Sequence, residues 1–192
     1  MKSILLTISL FMLASSTIAA EVNSNEAHRK ILSDILTDFE TSLNEKKLEK
    51  MLSHLDDQAV MSFMTTETAV GKDAIVAFYE KMFKGPKAPL VDHTTKASLD
   101  GKAIFHGDTV VASGRTKDVF TLKNGAIYDF DTRWLATIVN KNGNWKVVSV
   151  NFSIDPFDNI VLKETQEKIW TYAIAAFFAG LLIMFVAGRF RR

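Results

Sequence analysis

The sequence predicts an α+β fold, a cone-shaped curved antiparallel sheet packed on N-terminal helices, followed by one C-terminal transmembrane helix. Three observations predict it. Apolar residues recur at helical spacing as far as Phe83, the period changes to two from about Asp92, and residues 169–188 hold no charged side chain. Asp100-Gly101, Asn124-Gly125 and Asn142-Gly143 punctuate the period-two region as hairpin turns.

The elements follow in order. MKSILLTISLFMLASSTIAA has Lys2, an apolar run from Ile4 to Ala14 and small residues at Ala19 and Ala20, the pattern of a secretory signal peptide over 1–20. A folded domain is expected over 21–157, opening on the polar lead-in EVNSNEAHRK. Ala27, Ile31, Ile35, Phe39 and Leu43, widened by Leu32 and Leu36, predict an amphipathic helix over 25–45. A short second helix carries Leu48, Met51, Leu52 and Leu55, and QAVMSFMT reads as a strand. GKDAIVAFYEKMF is a third helix, with Gly71 at its start, Asp73 in the first turn, and Ile75, Phe78, Tyr79, Met82 and Phe83 for packing. Gly85-Pro86 stops it. Strands are expected near 92–99, 102–122, 126–139 and 145–154, the second divided by a turn at His106-Gly107-Asp108.

Residues 158–168 are read as a juxtamembrane segment and 169–188 as the span, since twenty helical residues cover about 30 Å, one hydrocarbon core. Trp170 and Tyr172 suit one headgroup layer, and Arg189, Arg191 and Arg192 mark 189–192 as a cytoplasmic tail. The globular domain is therefore expected outside the cytoplasm, which is the periplasm if the cell is Gram-negative. Without Lys2 and the three tail arginines, nineteen basic residues stand against 22 acidic ones, so the domain carries about −3 and not the chain's +1. No basic patch interleaved with aromatics occurs, which argues against nucleic acid. The chain has no cysteine, hence no disulfide framework.

The order of elements resembles the nuclear-transport-factor-2-like superfamily, with its SnoaL-like and steroid-isomerase-like domains. The resemblance spans about 26–155 and rests on the first helix running into LDDQAV, on GKDAIVAFYEKMF, and on the closing hairpin TRWLATIVNKNGNWKVVSVNFS. It implies a curved sheet wrapped round helices into a cone with a pocket, in a family holding enzymes, binding subunits and transport adaptors. The steroid-isomerase reaction needs an Asp base and an oxyanion hole of a Tyr and a protonated Asp. The resemblance sets those functions near Ser62 and Phe39, which cannot perform them. The last strand has Ser149 and Asn151 where many relatives carry histidines.

Two faces of the sheet are candidates for function. With Asn124-Gly125 as a two-residue turn, Asp118 stands opposite Asp131, on a face with Phe120, Asp129 and Arg133. Asp118, Asp131 and Arg133 are then the catalytic candidates, because close carboxylates split their pKa values. The other face pairs Arg115 with Trp134, near Tyr128 and Phe130, and continues through Trp145 and Val147 to Ser149 and Asn151. Arg115, Tyr128, Phe130, Trp134, Ser149 and Asn151 are the ligand-binding candidates, suited to an apolar or amphipathic small molecule. His28, His54, His93 and His106 lie at no metal-ligand spacing, and Asp92-His93 is at most half a site, so neither metal nor cofactor is expected. Asn151-Phe152-Ser153 matches a glycosylation sequon but falls within a strand. In the last strand Val148, Val150, Phe152 and Ile154 alternate with Trp145, Val147 and Ser149. Both its faces then read as apolar, which predicts a homodimer through the face the helices leave bare. The expected function is a membrane-anchored binding domain, for a small organic ligand or a protein, without catalysis. The alternatives are an acid/base enzyme on a small organic substrate and an accessory subunit of an envelope complex.

Overall fold

The computed structural model describes residues 26–190, so the predicted signal peptide lies outside the described residues. Helix α1 covers 26–45. Then follow α2 (Glu49–His54), β1 (Leu55–Ser62), β2 (Thr68–Val70) and α3 (Lys72–Phe83). The sheet continues with β3 (Leu90–Leu99), β4 (Ile104–His106), β5 (Thr109–Leu122), β6 (Ile127–Lys141) and β7 (Asn144–Ile154), and α4 (Ile160–Phe190) ends the chain. The strands form one sheet in the order β2-β1-β7-β6-β5-β3, with β4 beside β5. All pairs are antiparallel except β1 with β7. Three residues are too few to show a period, and β2 was not predicted.

The helices cover one face only. Ile35, Met51, Leu55 and Ile75 meet Val110, Ala112, Trp134, Ala136, Ile138, Trp145, Val147 and Val150 in a single core. β3 is an edge strand whose outward backbone groups need partners, and α1 supplies them at Thr95 and Ala97. Asn44 donates from Nδ2 to Thr95 O (2.9 Å) and accepts Thr95 N–H at Oδ1 (2.7 Å), as a neighbouring strand would. Glu40 accepts Ala97 N–H at 2.8 Å, and the Asp92 side chain accepts His93 N–H at 2.9 Å. These contacts hold the edge of the sheet against the helix and make a cone.

Two one-residue irregularities set the inner face. The β5–β6 turn is a three-residue loop, Lys123 to Gly125, closed by Leu122 N–H to Ala126 O at 2.8 Å, with Gly125 at φ +85°. It is a tight turn followed by a left-handed residue, which glycine adopts without penalty. The register therefore moves by one from the two-residue reading. Asp118 faces Phe130 and not Asp131, which stands beside Lys117. Arg115 faces Arg133, and Trp134 faces Gly114. The second irregularity is a bulge in β7: Thr137 pairs with Ser149 but Ile138 with Val147, leaving Val148 extra. Trp145 and Val147 before the bulge consequently share the inner face with Val150, Phe152 and Ile154 after it, and all of these but Trp145 line the cavity. The two-faced apolar strand that suggested a dimer is an artefact of reading through the bulge.

α4 begins at Ile160, inside the predicted juxtamembrane segment, and runs without a break. It is long and apolar enough to cross a membrane, and none of its apolar stretch is buried. Phe177, Phe178, Leu182, Ile183 and Phe185 are all exposed. In water each would forgo about 1.5–3 kcal/mol of burial.

The tightest packing lies at Gly114. A Cβ there would come within 1.9 Å of Ser98 O and 2.5 Å of Trp134 Cζ2. Trp134 lies across this gap and donates from Nε1 to Arg115 O at 3.3 Å. Gly114→Ala should cost about 1–3 kcal/mol or more by overpacking, read as a lower urea midpoint. An unchanged midpoint would show that the indole is free to move.

Candidate functional site

Between α1, α3 and the concave sheet lies a cavity of about 600 Å³, within the usual range for small-molecule sites. Its wall is almost wholly apolar, including Leu36, Phe39, Phe63, Phe78, Phe120 and Phe130. The sheet places a polar cluster in that wall. On adjacent strands Thr95 pairs with Asp118, Asp118 with Phe130, and Thr116 with Thr132. Thr95, Thr116, Asp118 and Thr132 are all buried. His93, two residues from Thr95 on the same strand, reaches Asp118 Oδ1 through Nε2 at 3.1 Å. Its ring stacks on Phe120, with centroids 4.4 Å apart and planes at 10°. Thr116 donates to the other carboxylate oxygen at 2.5 Å.

A carboxylate that is 5% exposed must be compensated. Burial pushes the Asp118 carboxyl up, but the hydrogen bonds from His93 and Thr116, with the nearby hydroxyls of Thr95 and Thr132, outweigh it and hold it below the ordinary aspartate range. Asp118 is thus an anion at neutral pH. It accepts from Nε2–H, which fixes the tautomer and leaves the Nδ1 lone pair as the basic position of the ring. Among the described residues nothing hydrogen-bonds Nδ1. Phe120 and the apolar wall hold the imidazole plane. The arrangement can accept a proton at His93 and stabilise the resulting imidazolium through Asp118.

The sequence candidates are divided by the register. Asp118, Tyr128, Phe130 and Trp134 line the cavity. Arg115, Asp131 and Arg133 point to the outer face, where Arg115 and Arg133 both pair with Asp100. The Asp118–Asp131 pair therefore does not form. Ser149 and Asn151 also turn outward, because the bulge at Val148 reverses the alternation ahead of them. His93, half of a site at most in the sequence, is the candidate that spacing could not join to Asp118, since its partner is 25 residues away on a neighbouring strand. One signal was available: Thr116, Asp118 and Thr132 are polar residues on a face otherwise made of Val110, Ala112, Trp134 and Ala136. No group of metal-ligating side chains occurs among the described residues.

A cone of curved sheet and helices with a polar cluster in an apolar cavity defines the nuclear-transport-factor-2-like class. The SnoaL-like domain family matches residues 36–148, more than half of the sequence, and the chain belongs to that family. No curated protein matches it. Among solved structures it is similar to a hexachlorocyclohexane dehydrochlorinase from Novosphingobium barchaimii, at 14% identity and TM-score 0.62, covering 69% of this chain and 90% of that one. A nuclear transport factor 2 superfamily protein from Salmonella enterica matches at 13% identity and TM-score 0.56, covering 70% and 96%. A ketosteroid isomerase-like protein from Erwinia carotovora matches at 16% and 0.55, covering 66% and 95%. Identities this low establish a shared fold alone.

The depressed Asp118 carboxyl has a consequence for stability. Its folded pKa lies below the unfolded value of 3.8, so its contribution is complete above that value and is lost as pH falls through the folded pKa. Asp118→Asn should therefore cost about 1–3 kcal/mol at neutral pH, and the gap to wild type should close below about pH 4. Urea unfolding at pH 7, 5 and 3 measures both. A gap independent of pH would mean that Asp118 is neutral in the fold.

Proposed function

We propose that this chain is a membrane-anchored SnoaL-like domain that holds a neutral, lipophilic small molecule in its cone and moves a proton on it. His93 acts as the base and Asp118 as its anionic partner. The observation that carries this is the His93–Asp118 hydrogen bond set into an otherwise apolar cavity. Desolvation makes a buried carboxylate expensive, and a ring held by it in one tautomer is suited to repeated proton transfer. One fold neighbour bears the name of a dehydrochlorinase, an elimination enzyme, which supports acid–base work in a cavity of this shape. The apolar wall favours a neutral substrate whose reacting C–H bond is acidified by an adjacent electron-withdrawing group. A second reading, binding without turnover, draws on the same wall, which would retain a ligand with no chemistry at all. The topology belongs to the proposal too. The leader-like start, the apolar α4 and the arginines after it support a domain outside the cytoplasm and a C-terminus inside.

A ketone probe, 2-hexanoylnaphthalene, separates the two readings. With the full chain in detergent and D₂O, wild type should exchange deuterium into the carbon beside the carbonyl. His93→Gln should lose about 10²–10⁴-fold of that rate while binding the probe as before. Probe bound without exchange in wild type would leave a binding protein. For topology, protease added to cells with an opened outer membrane should digest residues 26–157, and protection of that segment would reverse the orientation.

A further inference from the structure

The anchor and the dyad lie at the same end of the sheet. β7 makes its last pair with β6 at Thr132 and Ile154. Beyond that row β6, β5 and β3 continue as a three-stranded apron through the rows of Asp118, Phe120 and Leu122, about 20 Å further. The apron carries His93, Asp118, Phe120, Tyr128 and Phe130 on its inner side. Residues 127–131 of β6 have no β7 partner, and α4, starting six residues after Ile154, touches β6. Lys163 in its second turn lies within the field of Asp131.

The tip of this apron has an unusual surface. Ile127 is 62% exposed and Val91 53%, and in the link to α4, further back along the apron, Phe157 is 86% exposed. Lysines stand among them. Lys123 donates to Gly85 O at 2.6 Å, which joins the 122–126 turn to the loop after α3, where Lys87 is also exposed and Lys84 pairs with Glu80 at 2.6 Å; the exposed acid nearest Ile127 on the outer face of β6 is Asp129. Exposed apolar side chains interleaved with lysines, beside a helix able to span a bilayer, are complementary to an anionic lipid surface. The cavity reaches the same rim, where Pro89, Leu122 and Tyr128 line it. From Leu122 the next inward residue of β5 is Phe120, the partner of His93, about 7 Å away.

We propose that this rim rests on the bilayer surface beside the anchor, and that the cavity draws its ligand from the lipid phase through it. The second clause rests on the reading of the cavity as a ligand site; the first does not. The partner is anionic lipid, and the ligand class is a neutral lipophile that partitions into membranes.

The chain has no cysteine, so single labels are clean. Ile127→Cys and Leu135→Cys, each carrying a nitrobenzoxadiazole label, are compared in full-length protein reconstituted into phosphatidylethanolamine–phosphatidylglycerol vesicles containing doxyl lipid. Leu135 is equally on the outer face and 51% exposed, but lies about 27 Å further along β6. The Ile127 label should be blue-shifted and quenched, and the Leu135 label should be neither. Equal quenching at both sites, or none at Ile127, overturns the seating. Loading is read separately, as transfer of 2-hexanoylnaphthalene from vesicles into the protein. Lys87→Glu with Lys123→Glu should slow transfer at least tenfold and leave binding of the probe in detergent unchanged. Unchanged transfer overturns the lipid route while the ligand site stands. Failure of wild type to bind the probe in detergent overturns the ligand site and the route together, whatever the labels show.

Discussion

The cone depends on how α1 closes the free edge of β3. An edge strand offers a row of backbone groups that must find partners, and here one amide side chain imitates a strand. Asn44 gives and accepts a bond with the same residue, Thr95, and Glu40 takes the next outward N–H. Each bond contributes about 1 kcal/mol net, yet leaving such groups buried and unpaired costs about 1–3 kcal/mol each. The contact thus acts mainly by excluding flatter arrangements. It also fixes position, because Thr95 is the residue opposite Asp118 and His93 lies one inward step away.

That placement puts polarity where the hydrophobic effect would not. The core holds its apolar face against three helices, and Thr95, Thr116, Asp118 and Thr132 interrupt it from three adjacent strands. A cluster of apolar residues of equal volume would pack there at no desolvation cost. The buried anion persists because each of its oxygens has a donor, His93 on one side and Thr116 on the other. Satisfied groups of this kind are rigid, and rigidity is what a proton-transferring imidazole requires. The stability given up in the wall becomes orientation of the ring.

Element types were legible in the sequence because amphipathic periods survive small errors of position. The helical stripe from Ala27 to Leu43, the capping pattern at Gly71 and Asp73, and the turns at Gly107, Gly125 and Gly143 all predict what is observed. The site was less legible for one physical reason. Side chains alternate with period two, so a single added residue exchanges the faces of everything beyond it. It happens twice. The loop at Lys123–Gly125 moves Asp118 from Asp131 to Phe130, and the bulge at Val148 turns Ser149 and Asn151 outward. Tyr128, Phe130 and Trp134 were still placed together on the cavity side, since they share one strand and need no cross-strand register. Asn124-Gly125 fits a two-residue and a three-residue loop equally well in sequence. Its choice is made by the twist of the strands and by Lys123 N–H, which is taken by Pro89 O in the loop after α3.

The strand order gives the anchor its place. β7 is the last strand but central in the sheet, between β1 and β6, and β6 outruns it. Any helix that follows β7 after a short link must therefore start beside the part of β6 that β7 leaves unpaired. That part belongs to the apron carrying the dyad. In this fold, a helix that follows β7 starts beside the end of the cone that carries the His93–Asp118 pair, with no added domain or hinge. The nine residues of α4 ahead of Ile169 add about 14 Å of helix, shorter than the apron itself. The domain has little room to stand clear of a surface, and the exposed Ile127 and Val91 at the tip fit contact with it. Apolar residues at a tip held off in water would only favour aggregation.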